Sequence, residues 1–180
     1  MWALVEDNSI VKIINNPKGM VIGDTRYSKN IFSFRWTNEE REAIGLYEVV
    51  FDNSNKKDEA YYINTNQSFN FADGVATSSF GTATPIALEV LKNKHKTIIK
   101  QEASVLLEKT DWYNHKALDD ETFTIPANIT TYRANVRTKS NEMETAIDNA
   151  SDVDALAELY VYNDDDPRTR PLGEFPILEV

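Results

Sequence analysis

The sequence predicts an α+β protein. A small N-terminal antiparallel β-meander with one short helix precedes a C-terminal helical hairpin with a short third helix. Three observations predict it. Residues 1–83 alternate short β-prone runs with turn residues and contain an Asp73-Gly74 hairpin signal. Residues 84–162 repeat apolar side chains at three- and four-residue steps. Residues 163–180 carry Pro167, Pro171, Gly173 and Pro176 and read as an extended C-terminal tail.

Trp2 to Val5 and Ile10 to Ile14 are β-prone runs flanking Glu6-Asp7-Asn8-Ser9, a hairpin signal. Asn15 to Gly19 is a turn, Met20 to Ile22 a brief strand, and Ile31 to Trp36 groups three aromatics. Thr37-Asn38-Glu39-Glu40 has the form of a capping box and Gly45 that of a left-handed terminator, so Asn38 to Ile44 is predicted as one small helix. Leu46 to Phe51 reads as a strand, Asp52 to Glu59 as a polar loop, and Tyr61 to Asn64 as a short extended run. Ser68 to Ala72 and Val75 to Phe80 are the arms of the Asp-Gly hairpin, with Phe69 and Phe71 on one face.

Thr84-Pro85 has the composition of a helix start, threonine as cap and proline in the first turn. Leu88, Leu91, His95, Ile98, Glu102, Val105 and Leu106 then describe a helical stripe running to about Lys109. Thr110 to Thr124 reads as a polar, acidic connection. Pro126 opens the second helix, with Ile129, Tyr132, Val136, Met143 and Ile147 on one side and a polar turn at Ser140. Ser151-Asp152-Val153-Asp154 suggests a third helix capped by serine, burying Val153, Leu156, Ala157 and Tyr160.

A chain of 180 residues with net charge -10 is large enough for a core without metals or disulfides. It has no cysteine, which excludes thiol catalysis and thiolate metal sites. The charge opposes nonspecific binding of nucleic acid or anionic membrane. Nine acids and no Lys or Arg lie between Asn141 and Asp166, read as a solvated face with a basic docking partner as the alternative. No apolar run reaches membrane-spanning length, and Met1 to Val5 meets Glu6-Asp7 at once, so neither a spanning segment nor a secretory leader is expected.

No phosphate-binding glycine motif and no zinc-protease motif occurs. His95 interrupts the first helix stripe and reads as a core-edge residue. His115, with Asp111 and Asp119, is the one cluster that resembles acid–base chemistry, and its spacing selects no reaction. Asp52 to Ile63 starts like a calcium loop but has lysine at its fifth position and no closing glutamate. Asp164, Asp165 and Asp166 form an acidic triplet, read as solvated with a loose cation site as the alternative. Asn66 and Asn128 match the glycosylation pattern by chance. Trp36, Tyr61, Tyr62, Phe69, Phe71 and Phe80 read as core, with a stacking platform as the alternative. No cofactor and no catalytic residue is expected.

Leu106-Leu107-Glu108-Lys109-Thr110-Asp111-Trp112, followed by Ile125-Pro126, Tyr132-Arg133 and Val136-Arg137, resembles a segment of bacteriophage tail proteins. It is similar to the phage tail assembly chaperone family, with its LLxxTDW run and a proline-led helix bearing YRxxLR. Val136 stands where leucine is usual, and the Pro171 to Pro176 ending lacks the family's tryptophan. The strand-rich N-terminal half is similar in layout to small domains that precede such segments in marine-type tailed-phage proteins. The resemblance implies a non-enzymatic protein acting by contacts with phage tail or tail-fibre proteins, and with its own copies if it oligomerises. Its place would be the host cytoplasm during assembly, or the virion tail if it is instead a tail-fibre or baseplate adaptor. A glycan-binding or hydrolase module is the remaining alternative.

Within this segment, Thr110, Asp111, Trp112, Pro126, Tyr132, Arg133 and Arg137 are expected to form a clasp between the two helices. Trp112 should fold back near Tyr132, and Arg133 and Arg137 should pair with Asp111, Asp119 or Asp120. A buried Trp112 would make Trp112→Ala cost about 3 kcal/mol.

Overall fold

Asp7 and Asn8 both adopt positive φ, 48° and 61°. Their two-residue turn joins β1 (Trp2–Glu6) to β2 (Ser9–Ile14) in an antiparallel pair. The computed structural model describes residues 1–178. The chain divides into two compact units, one ending at Thr84 and one beginning at Pro85.

In the first unit, β1 pairs with β2 on one side and with β5 (Leu46–Asp52) on the other. Its side chains alternate between two clusters. Trp2 joins Ile14, Ile31 and Leu46, whereas Ala3 and Val5 join Val49 and Ala76. Burial on both faces explains why β1 reads as a continuous apolar run and not as an alternating one. β3 (Met20–Ile22) and β4 (Thr25–Tyr27) form a separate two-stranded hairpin. After the two-residue β6 (Tyr62–Ile63), the Asp-Gly turn joins β7 (Gln67–Ala72) and β8 (Val75–Phe80), with φ of 52° at Asp73 and 76° at Gly74. The strand order is β2-β1-β5-β8-β7. The sheet is antiparallel-rich, but β5 and β8 pair in parallel, because β6 and β7 carry the chain back before β8 adds to β5.

The aromatics expected in the core divide. Phe69 and Phe71 pack on the second cluster, Tyr47 meets Phe71 at 4.6 Å, and Trp36 packs edge-on against Tyr27 at 5.9 Å. Phe34, one of the grouped aromatics, is exposed. Tyr62 and Phe80 lie beneath the ammonium groups of Lys57 and Lys56.

The helix α1 (Asn38–Glu42) begins with the expected box. Glu40 N–H donates to the Thr37 hydroxyl at 3.2 Å, and Thr37 N–H donates to the Glu40 carboxylate at 2.8 Å. The sequence did not point to Arg41. Its buried guanidinium donates to the carbonyls of Ile31 and Ser33 and to Asn38 Oδ1, and lies over the Trp2 ring. It thereby ties the Lys29–Phe32 turn to α1.

The second unit contains α2 (Leu88–Glu108), α3 (Asp111–Asp119), α4 (Ala127–Asn149) and α5 (Val153–Glu158). The structure corrects four expectations. First, α2 starts at Leu88 and not at Thr84-Pro85; those two residues are extended, and Ala87 takes the cap position with no side-chain acceptor.

Second, the buried face of α2 is Leu91, Lys92, Ile99 and Ala103, while Ile98 and Val105 face solvent. The apolar count set the phase wrongly because Lys92 buries its stem and donates to the Asp148 carbonyl at 2.9 Å. Small Ala103 admits Tyr132 and Val136 of α4.

Third, the supposed polar connection contains α3. Asp111 in its first turn and Lys116 in its last suit the helix dipole, and no glycine or proline interrupts it. Fourth, Asp152 and not Ser151 caps α5, accepting from Ala155 N–H at 2.8 Å. That bond, aided by the Ser151 hydroxyl, holds the Asp152 carboxyl below its ordinary value.

On α4 the expected residues Ile129, Tyr132, Val136, Met143 and Ile147 are buried. The tail residues belong to this unit. Leu172 is buried and its N–H donates to the Leu159 carbonyl at 3.0 Å, while Phe175 and Leu178 pack on the Ala103–Tyr132–Val136 cluster. Among the described residues no helix is long and apolar enough to cross a membrane.

Gly45 adopts φ 77°, and a Cβ there would meet the Val5 carbonyl oxygen at 2.5 Å. Gly23 is also left-handed but has open space. Gly45→Ala should therefore lose more than the about 1–2 kcal/mol of a left-handed alanine, and Gly23→Ala no more than that, read by urea titration. His95 is half-buried and tilted against Tyr160 with ring centres 4.6 Å apart, and burial together with Lys94 lowers its pKa. The neutral ring is favoured in the fold, so this stabilisation is present above about pH 6.5 and is lost as pH falls. Replacing His95 by glutamine should flatten the decline in melting temperature between about pH 7.5 and about pH 5.5.

Candidate functional site

The last turn of any α-helix leaves carbonyls without intrahelical donors. At the end of α2 the Leu107 carbonyl, besides the N–H of the cap residue Lys109, collects three. Thr110 N–H donates at 3.0 Å, the Thr110 hydroxyl at 2.9 Å, and Arg133 Nη1 at 2.8 Å from α4. Arg133 Nη1 also donates to Thr110 Oγ1 at 2.7 Å, and Nη2 meets Asp111 Oδ1 at 2.8 Å.

One buried guanidinium thus closes the end of α2, holds the residue between the helices and anchors the first turn of α3. A cation at a helix C-terminus and an anion at a helix N-terminus both favour the dipoles they face. Thr110 is almost wholly buried, and its hydroxyl donates once and accepts once. That engagement explains why Thr110 does not cap α3 with its side chain. Pro126 precedes α4, and its carbonyl accepts from Ile129 and Thr130 N–H. Tyr132 packs beside the joint against Ala103.

Two members of the expected clasp lie elsewhere. Arg137 is exposed, donates to the Arg133 carbonyl at 3.3 Å and has no carboxylate partner among the described residues. Asp120, a candidate partner, instead accepts from the Thr122 hydroxyl and N–H, which hold its carboxyl below the ordinary value. Trp112 does not fold back on Tyr132. It is 51% exposed, tilted against Tyr113 with ring centres 3.7 Å apart, and 6.4 Å from Phe123. The unexpected helix is the reason: with Asp111 held inward by Arg133, the next side chain points about a quarter-turn away.

The exposed ring of Trp112 and the half-buried rings of Tyr113 and Phe123 form one aromatic cluster that is open to solvent on the Trp112 side. The Lys116 ammonium lies 4.3 Å from the Phe123 ring centre, and Leu118 on the same helix is 81% exposed. His115 is exposed on α3, and Asp111, one turn before it, is taken by Arg133.

No protein-family model, curated protein or solved structure matches this chain.

The remaining candidates do not converge. Asp165 accepts from the Asn163 amide at 2.6 Å, and Asp164 and Asp166 are exposed beside it. Among the described residues no three carboxylate or imidazole groups gather as a metal site requires. Asp52 accepts from Ser54 N–H at 2.9 Å, turning the start of its loop. A cleft of about 300 Å³ in the first unit is lined by Trp2, Arg41, Glu42, Tyr47 and Glu48 among others, but Arg41 there is committed to backbone carbonyls.

Sequence reasoning missed the ladder between α2 and α4. Lys96 meets Asp148 at 2.7 Å, and Lys100 meets Glu144 at 3.1 Å. The bond to Asp148 raises the Lys96 pKa. The signal was present as Lys92, Lys96 and Lys100 at four-residue steps with Glu144 and Asp148 at the same step.

Arg133→Leu should cost about 2–3 kcal/mol by denaturant titration, since it strips the Leu107 carbonyl, Thr110 and Asp111 of one shared donor. Asp111→Asn, at a half-exposed carboxylate, should cost under about 1 kcal/mol. Trp112→Ala should cost about 1 kcal/mol or less, in place of the 3 kcal/mol that a buried indole implies.

Proposed function

We propose that this chain is a non-enzymatic phage tail-associated protein that acts through protein–protein contacts in tail or tail-fibre assembly, in the manner of a chaperone. The reading rests on the TDW…YR segment and on how its residues divide. Thr110, Asp111 and Arg133 make a rigid joint, and that joint displays Trp112 on the surface, backed by the half-buried Tyr113 and Phe123. A rigid, half-exposed aromatic group gives large contact area with little entropy lost on docking, which is the profile of an interface anchor.

Its occupant is a phage tail or tail-fibre protein, met in the host cytoplasm during assembly. A permanent place in the virion, as a tail-fibre or baseplate adaptor, is the second reading, because a fixed aromatic anchor serves a lasting joint equally well. Mass spectrometry of purified particles separates the two. Presence in the lysate alone supports an assembly factor, and stoichiometric presence in particles supports a virion part. With tagged protein in infected cells, Trp112→Ser and Leu118→Asp should each abolish co-purification of tail proteins while leaving the circular dichroism spectrum unchanged. Undiminished co-purification would remove the aromatic face from the proposal.

A further inference from the structure

The outward side of α2 carries an apolar row that the hairpin does not use. Val90, Ile98 and Val105 are 60%, 39% and 56% exposed. They lie eight and seven positions apart, close to two helical turns each time, and so share one side of the helix with Lys94 and Gln101.

The charges along α2 divide in the same way. Lys92, Lys96 and Lys100, on the side toward α4, are each bonded to Asp148 or Glu144. Lys94 has no carboxylate partner and Glu102 no cationic partner among the described residues; Lys94 lies within the apolar row and Glu102 at its edge.

The row is nearly palindromic about Ile98. Laying a second α2 against it in the opposite direction sets Val90 of one copy against Val105 of the other. Ile98 then meets Ile98, and Lys94 meets Gln101 and Glu102. Each apolar residue finds an apolar partner, Lys94 of each copy finds Glu102 of the other so that the pair forms twice by symmetry, and neither of these charges meets its like. A face that complements itself after a half-turn is the requirement for a two-fold dimer.

We propose that a second copy of this chain docks antiparallel along the Val90–Ile98–Val105 row of α2. The proposal stands independently of any role in tail assembly. One helix face is smaller than the interface of a permanent dimer, so the association is weak and concentration-dependent.

Sedimentation of the full chain from about 5 to about 500 μM tests this, a range that brackets weak association. The expected result is a mass that rises toward twice the monomer with concentration. Ile98→Asp should hold the protein monomeric throughout. Lys94→Glu should weaken association about tenfold, and adding Glu102→Lys to it should restore the original strength. All these positions are exposed, so folding is preserved, and helicity by circular dichroism checks it.

The cysteine-free chain permits a second measurement. Ile98→Cys should form a disulfide-linked dimer on mild oxidation, and Thr145→Cys, exposed on α4, should not. A wild-type monomer across the whole range overturns the proposal. So does a dimer indifferent to Ile98→Asp, or a charge-swapped double variant no better than Lys94→Glu alone.

Discussion

The helical unit depends on one cation placed where three chain segments end or begin. Arg133 supplies a donor to the terminal carbonyl of α2, satisfies the buried Thr110 hydroxyl and anchors the first acid of α3. A lysine could not do this, because only the planar guanidinium presents separate, fixed donors to a carbonyl and a carboxylate at once. Around that point the packing is simple. Ala103 lets α4 approach, Tyr132 and Val136 fill the space, and the Lys92–Lys96–Lys100 ladder fixes the register of the two long helices.

The first unit has a comparable centre in β1. Being buried on both faces, it joins two apolar clusters that would otherwise be separate. Arg41 repeats the device of Arg133, a buried guanidinium spent on backbone carbonyls to hold an irregular segment. In both units a charged side chain secures what the apolar pattern leaves loose.

The contrast explains which features were legible in the sequence. The Asp7-Asn8 and Asp73-Gly74 turns, the Thr37–Glu40 box, Gly45 and the buried face of α4 could be read because local rules decide them. The start and phase of α2 and the existence of α3 were misread because distant partners decide them. Lys92 counts as apolar only once Asp148 is placed to receive its ammonium. Thr110 to Thr124 looks like a polar loop until Arg133 arrives from α4. For the candidate site, the residues Thr110, Asp111 and Arg133 could be picked out from the sequence. The outward turn of Trp112 could not, since it follows from a helix that only the joint creates.

The bond from Arg133 to the Leu107 carbonyl closes the intervening stretch at its base, so residues 111 to 125 form a loop pinned at one end to a separately stabilised hairpin. Such a segment behaves as a cassette. Its exposed side chains Trp112, His115, Lys116 and Leu118 can diverge or exchange with little effect on the long helices, because they lie outside the α2–α4 packing. Selection for a new binding partner can therefore act on the α3 surface while selection for folding acts on the joint, and the two need not compete.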